Sequence, residues 1–200
     1  MKIAVIGAGN VGRTLGGRWT EAGHEVLYGV RDASTSKVPN AVSVGEASAG
    51  ADILVFCTPW PALQAAARAS GDASGKVVVD CTNPIAADFS GLDASGAPSA
   101  SEHLQGWMPG AKVVKAFNTI GYNVMADPQF GNRGATLLVC GDDDSAKQTV
   151  MQLGRDIGFE PENAGPLSMA GYLEHVAWVW IAMAAKYGYG RDIAFHLDRR

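Results

Sequence analysis

Cysteine is scarce in this chain of 200 residues: Cys57, Cys81 and Cys140 are the only three. Their spacings match no zinc-ligand or redox-pair pattern. Each closes an apolar run, so we read them as small buried residues in reduced form. Long hydrophobic runs are missing as well. The longest apolar stretch, Val176 to Ala185, falls short of the roughly 20 residues that a bilayer span needs. The apolar start runs directly into a glycine-rich turn, so no secretory signal is visible and a soluble, cytoplasmic protein without a membrane partner is expected. Charge is modest, with a formal net of −4. That balance argues against nucleic acid or an anionic membrane as partner. Histidine is limited to His24, His103, His175 and His196, too scattered for a Ser/His/Asp or Cys/His pairing. No metal-ligand cluster stands out either. The acids of "GDDD" at Gly141 to Asp144 suit a helix N-terminus better than a cation.

What is abundant is apolar residues, at 47%, and glycine, at 25 positions. Several glycines fall just after apolar runs, as tight turns at strand ends require. The length fits one full domain with a small appendage. We expect a dinucleotide-binding unit over residues 1–140 and a C-terminal segment over 141–200 that serves substrate cleft and dimerisation.

The chain alternates strand and helix signals. "KIAVIG" reads as a strand. "GNVGRTLGGRWTEAG" reads as a helix, with Val11, Leu15, Trp19 and Ala22 on one face. "HEVLYGV" is the next strand, which completes a βαβ unit. "AVSV", "ADILVFCT", "KVVVDCT", "AKVVKAFN" and "ATLLVCG" follow as strands, with "FEPENAG" as a short last one. Apolar runs without alternation are expected of strands covered on both faces. "PWPALQAAARAS" and "DDDSAKQTVMQLGRDIG" read as helices, and Ser99 with Glu102 has capping-box spacing for another through Trp107. Residues 87 to 101 read as a surface loop. The fold class is therefore α/β: a doubly wound, mainly parallel sheet of Rossmann type with a small C-terminal helical segment. The terminal helix, around "YLEHVAWVWIAMAA", is apolar nearly all round. We expect it to pack on a partner subunit in a homodimer more than on its own sheet.

Gly7, Gly9 and Gly12 form G-A-G-N-V-G. The motif follows a strand and opens a helix, the context that makes it a dinucleotide fingerprint. Gly7 allows the turn, Gly9 lets the backbone approach pyrophosphate and Gly12 lets helix and strand pack closely. The amides of Asn10 and Val11 should face the phosphates. Asp32 lies 20 residues past Gly12, the usual count for an acid on the ribose of NAD. The second strand should end near Val30, however, which places Asp32 in the loop and Arg31 directly after the strand. A guanidinium there can fork onto a 2′-phosphate, so NADP is the expected cofactor, with Ser34, Thr35 and Lys37 as nearby donors. The other strand ends carry Thr58-Pro59-Trp60, Thr82-Asn83-Pro84 and Asn118-Thr119-Ile120. Thr58, Pro59, Trp60, Asn83 and Asn118 are expected to frame the nicotinamide. None of them is a proton donor for chemistry, so no catalytic residue is assigned. Hydride transfer between two flat redox cofactors needs proximity and angle more than acid–base groups. Lys115 is the one residue a proton-transfer role could be offered to, against a simpler place at the sheet rim.

The chain resembles the NADPH-dependent reductases of the deazaflavin coenzyme F420, with the oxidoreductase domain of STEAP-type metalloreductases as a related branch. The carriers are "IGAGNVGRTLGGRWTEAGHEVLYGVRD", "TPW" at Thr58 to Trp60, "GAKVVKAFNTI" and "VCGDDDSAKQTVMQLGRDIGFEPENAGPLSMAGYLE". The resemblance implies a homodimer and NADP with its phosphates on the first turn. It also implies a second flat cofactor in a cleft closed around Gly165-Pro166-Leu167. "KAFNTI" is closer to the metalloreductase branch, so F420, a flavin (FMN or FAD) and a small-molecule acceptor all stay open. The expected activity is hydride transfer between NADP(H) and a flavin-like acceptor. A non-catalytic NADPH-binding sensor and a small-substrate imine or alcohol reductase are the alternatives.

Overall fold

A computed structural model of the chain describes residues 1–93 and 98–200, so part of the surface loop expected over 87 to 101 lies outside the described residues. In chain order the elements are β1 (Lys2–Ile6), α1 (Asn10–Glu21), β2 (Glu25–Val30), β3 (Ala41–Ser43), α2 (Val44–Ala49), β4 (Ile53–Phe56), α3 (Trp60–Ala69) and β5 (Val77–Asp80). There follow α4 (Ala100–Trp107), β6 (Lys112–Lys115), α5 (Tyr122–Ala126), β7 (Gln129–Phe130), β8 (Arg133–Gly134), β9 (Thr136–Gly141), α6 (Asp144–Asp156), β10 (Glu160–Gly165) and α7 (Ala170–Ala185).

Eight strands form one sheet in the order β10-β9-β6-β5-β4-β1-β2-β3. Every neighbouring pair is parallel except β6 and β9. The chain runs outward from β1 to β3, then returns to the other side of β1 with β4. That reversal makes the crevice above β1 and β4 the place where such sheets take ligands. The small β7–β8 hairpin has no counterpart in the sequence expectations.

The central strands are apolar throughout because both faces are covered. Ile3, Val5, Ile53 and Val55 join one core cluster, which α1, α5 and α6 close. Ala4, Ile6, Leu54 and Phe56 join the other, beneath α2, α3 and α4. Trp19 of α1 is the largest fully buried side chain. Its indole Nε1 donates to the Leu153 carbonyl at 3.0 Å, and its ring meets Phe117 edge-on at 5.7 Å.

Capping chemistry sets several boundaries. Ser43 and Glu46 form a reciprocal capping box, which turns Val44 into the start of α2 where a fourth strand residue was expected. Ser99 and Glu102 form the box that the spacing predicts. Asp143 caps α6 by accepting from the Ala146 amide at 2.8 Å.

The terminal helix α7 departs in part from expectation. Ala170, Leu173, Glu174, Ala177 and Trp180 are buried against the chain's own body. These positions recur every three or four residues, so they form one stripe. Tyr172 and Val179 stay 67% and 50% exposed. The residues after α7 fold back: the Trp180 indole donates to the Ile193 carbonyl, and the Thr136 amide donates to that of Phe195. Among the described residues no helix is long and apolar enough to cross a membrane.

Trp19→Ala should lower the unfolding free energy by about 3–5 kcal/mol, through the cavity it leaves and the orphaned Leu153 carbonyl. Urea denaturation followed by far-UV circular dichroism measures this, and an unchanged midpoint would contradict the assigned packing.

Candidate cofactor site at the strand ends

The glycine turn between β1 and α1 is built on close approach. Gly7 adopts φ +103, and a Cβ there would meet the Cys57 carbonyl oxygen at 3.0 Å. A Cβ on Gly12 would stand 2.0 Å from the Gly7 carbonyl oxygen, so only glycine fits. Gly9 is different: nothing lies within 4 Å of a Cβ there. Gly9 is also the N-cap of α1, with no side-chain cap and no acid in the first turn. The first amides of a twelve-residue helix, those of Asn10 and Val11 among them, therefore have no side-chain cap among the described residues and stand at the positive end of the helix dipole.

Charge around this turn is unbalanced. β2 ends at Val30, so Arg31 and Asp32 both stand in the loop that follows. Neither Arg31 nor Lys37 forms a salt bridge among the described residues. Arg13, one position past the last glycine, reaches only the Asn10 side-chain oxygen at 3.2 Å. It was not singled out from the sequence. The signal for it is a cation in the first turn of a helix whose N-terminus already attracts anions. Asp32 is occupied elsewhere. Its Oδ1 accepts from the Ser34 amide at 3.0 Å and from the Ser34 hydroxyl at 2.6 Å. Those hydrogen bonds hold its carboxyl below the usual range. The same bonds engage Ser34, whose hydroxyl must leave Asp32 before it can meet a phosphate.

At the other strand ends the structure joins some expected residues and separates others. Thr58 borders the glycine turn, its methyl lying 3.2 Å from a Cβ placed on Gly7. Asn83 and Asn118 face each other: Asn83 Nδ2 donates to the Asn118 carbonyl at 2.8 Å and Asn118 Nδ2 donates to Asn83 Oδ1 at 3.0 Å. Among the described residues, buried Thr58 Oγ1 and Asn118 Oδ1 have no hydrogen-bond partner. Buried polar atoms of that kind are rare and call for a missing partner. Phe117, just before Asn118, holds φ +63, a strained setting for a bulky residue. Ala116 and Phe117 consequently join the same core cluster, breaking the alternation at the mouth of β6. Pro59 caps α3 without a side-chain bond. Trp60 is held from α4. Its ring packs on His103 at 5.6 Å and on Trp107 at 6.2 Å, tying the start of α3 to α4.

Lys115 neither lines the cleft nor sits at the rim. It is fully buried, and its ammonium donates to Asp80 Oδ2 at 2.9 Å, Glu174 Oε1 at 2.7 Å and the Thr82 carbonyl at 2.6 Å. Burial pulls its pKa down, but the two carboxylates outweigh burial and hold it above the ordinary lysine value. Burial raises the pKa of Glu174 against the opposing pull of Lys115. Lys115 is thus sealed from any substrate, which removes it as a proton-transfer group. The sequence does carry a signal for this cluster. Asp80 closes "VVVD", Lys115 interrupts "KVVKAF" and Glu174 sits in an apolar helix. A charge inside a doubly covered run must find an opposite charge. Burial lifts the thiol of Cys140 to about 12, and Cys81 is likewise raised. All three are free thiols.

Residues 2–84 match the family described as NADP oxidoreductase, coenzyme F420-dependent. An F420-dependent NADP reductase of Methanothermobacter thermautotrophicus is 30% identical over 202 residues, covering 88% of this chain and 86% of its own. The chain belongs to this family of NADP-dependent oxidoreductases. Metalloreductase STEAP3 of Rattus norvegicus is 29% identical over 181 residues, and the match spans only 36% of that longer protein. A crystal structure from Arthrobacter sp. FB24, provisionally described as an F420-dependent NADP reductase, superposes over 100% of both chains. Its TM-score is 0.89 at 32% identity. A reductive aminase from Aspergillus terreus shares the fold, with a TM-score of 0.67 at 18% identity.

The glycine geometry separates two roles. Gly9→Ala should cost about 1 kcal/mol of stability or less, yet weaken NADPH at least about tenfold by standing where pyrophosphate approaches. Gly12→Ala should cost more than about 3 kcal/mol, because its Cβ overlaps main chain. Thermal melts beside NADPH titrations distinguish them, and equal melting losses would refute the assignment.

Proposed function

We propose that the protein passes hydride between NADP(H) and a flat, flavin-like acceptor, coenzyme F420 or a flavin. The observation that carries the cofactor half is the start of α1, with no side-chain cap and no acid in its first turn, together with Arg13 in that turn and Arg31 and Lys37 in the loop after β2, none of which forms a salt bridge among the described residues. In this reading the amides of Asn10 and Val11 bind pyrophosphate above Gly7, Gly9 and Gly12. Arg31 forks onto the 2′-phosphate, with Lys37 and a released Ser34 in support. Asn118 Oδ1 and Thr58 Oγ1, the two orphaned atoms, accept from the nicotinamide carboxamide and fix the ring's rotation. Pro59, Trp60 and Asn83 complete the frame around them.

The dinucleotide supplies the hydride; the chain's part is to bind, orient and keep water out. The residues after β4, β5 and β6 offer threonine, asparagine and proline but no acid or base. A flavin-like acceptor suits that set, since its ring carries its own redox chemistry. An alcohol or imine substrate would call for a proton donor at the same place. The names of the relatives point to F420 as the first acceptor to try. Residues 1–140 hold the dinucleotide and 141–200 the acceptor side. The uncovered apolar side of α7, with Tyr172 and Val179, is the surface through which two copies would pair.

Arg31→Ala should raise the Kd for NADPH at least tenfold and leave NADH nearly unchanged, because a charge-assisted phosphate contact is worth about 1.5–3 kcal/mol. Equal losses for both cofactors would remove Arg31 from the 2′-phosphate. Stopped-flow mixing of the NADPH-loaded protein with F420 and with FMN tests turnover. Tight NADPH binding without oxidation by either would favour a sensor.

A further inference from the structure

The charge cluster beneath the strand ends does more than fill space. Asp80 Oδ1 accepts from the Thr82 amide at 2.8 Å and from the Thr82 hydroxyl at 2.6 Å. Lys115 takes the Thr82 carbonyl at 2.6 Å. Every polar group of Thr82 is therefore held by this buried pair, and Asn83 leaves it in a set direction. Asn83 then holds Asn118 through the two reciprocal bonds, which leaves Asn118 Oδ1 as the orphan. The third member, Glu174, comes from α7. Its Oε1 accepts from Lys115 at 2.7 Å and from the Ala100 amide at 2.9 Å. Ser101 joins from α4 by donating to Asp80 Oδ2 at 2.7 Å. Hydrogen bonds, joined through the Thr82–Asn83 peptide bond, thus lead from a terminal helix, distant in sequence, to the side chain assigned to the nicotinamide carboxamide.

We propose that Glu174 is a positioning residue for the nicotinamide half of NADP(H), acting through Lys115 and Thr82 on the Asn83–Asn118 pair. The proposal rests on the placement of the nicotinamide at Asn118. It does not involve the adenosine half, whose contacts lie at the glycine turn and Arg31. Glu174→Gln keeps the shape and an oxygen for the Ala100 amide but withdraws the charge that holds Lys115 between two carboxylates. Lys115 then settles toward Asp80, and the grip on the Thr82 carbonyl changes.

The test is a double-mutant cycle read by calorimetry with two ligands, NADPH and adenosine 2′,5′-bisphosphate. Glu174→Gln should weaken NADPH about fivefold and leave the bisphosphate within about twofold of wild type. Asn118→Ala should weaken NADPH at least as much. The double variant should bind NADPH within about twofold of Asn118→Ala alone, since both changes remove one function. Losses that multiply in the double variant would overturn the proposal, as would equal weakening of both ligands by Glu174→Gln. Should Asn118→Ala weaken NADPH while Glu174→Gln does not, Glu174 alone loses its role. An Asn118→Ala variant that binds NADPH normally would dismiss the placement itself, and the role of Glu174 with it. If Glu174→Gln fails to fold, Ser101→Ala replaces it in the cycle. That change removes one donor from Asp80 and must show the same selectivity for NADPH over the bisphosphate.

Discussion

The structure depends on one buried cation. Lys115 ends β6, Asp80 ends β5 and Glu174 sits on α7, with side chains 0%, 0% and 2% exposed. Taking such groups from water costs several kcal/mol per ion, and their attraction offsets this only with good geometry and satisfied hydrogen bonds. Both conditions hold here. Lys115 spends its three protons on three acceptors, and each oxygen of Asp80 receives two donors. Strand, loop and helix must then settle together, because losing any one leaves a bare charge inside.

That constraint explains why the strand ends can be polar and yet ordered. The mouths of β5 and β6 carry Thr82, Asn83 and Asn118, none able to pack as a hydrophobe. Their positions come from hydrogen bonds. Thr82 is anchored from beneath by Asp80 and Lys115, and Asn83 and Asn118 bind each other. The strain at Phe117 is held by packing, its ring set between Trp19 and Phe159. A positive φ at a bulky residue persists only where its surroundings over-determine it. Together they leave Asn118 Oδ1 fixed in place with nothing to accept from, a preorganised state suited to a ligand's amide.

Much of this was legible in the sequence, and the limits were physical. The glycine fingerprint and the end of β2 follow from local rules: glycine where a Cβ collides, a strand while both faces stay apolar. Those rules place Arg31 past Val30 and Asp32 in the loop. Asp32 then forms a side-chain turn with Ser34, which spacing alone did not announce. The charge cluster joins residues 35 and 59 positions apart, and no local pattern encodes such pairings. Of the three charges only Lys115 draws notice in the sequence, and only the fold shows that it meets Asp80 and Glu174. Trp60 is a further case. Its position after β4 suggests a nicotinamide wall, and only the fold shows that His103 and Trp107 on α4 hold its ring.

The setting of α7 is the last consequence of the buried cation. A helix apolar nearly all round has almost no preferred face, so hydrophobic burial alone would leave its rotation about its axis poorly determined. Glu174 removes that freedom. Its carboxylate points at Lys115 and the Ala100 amide, and turning it outward would leave both buried donors short of an acceptor. Once Glu174 faces inward, helical spacing sends Leu173, Ala177 and Trp180 inward with it and turns Tyr172 and Val179 outward. The apolar face that α7 leaves open is thus chosen by an ion pair. That open face of α7 and the proposed orientation of Asn118 are tied to the same carboxylate.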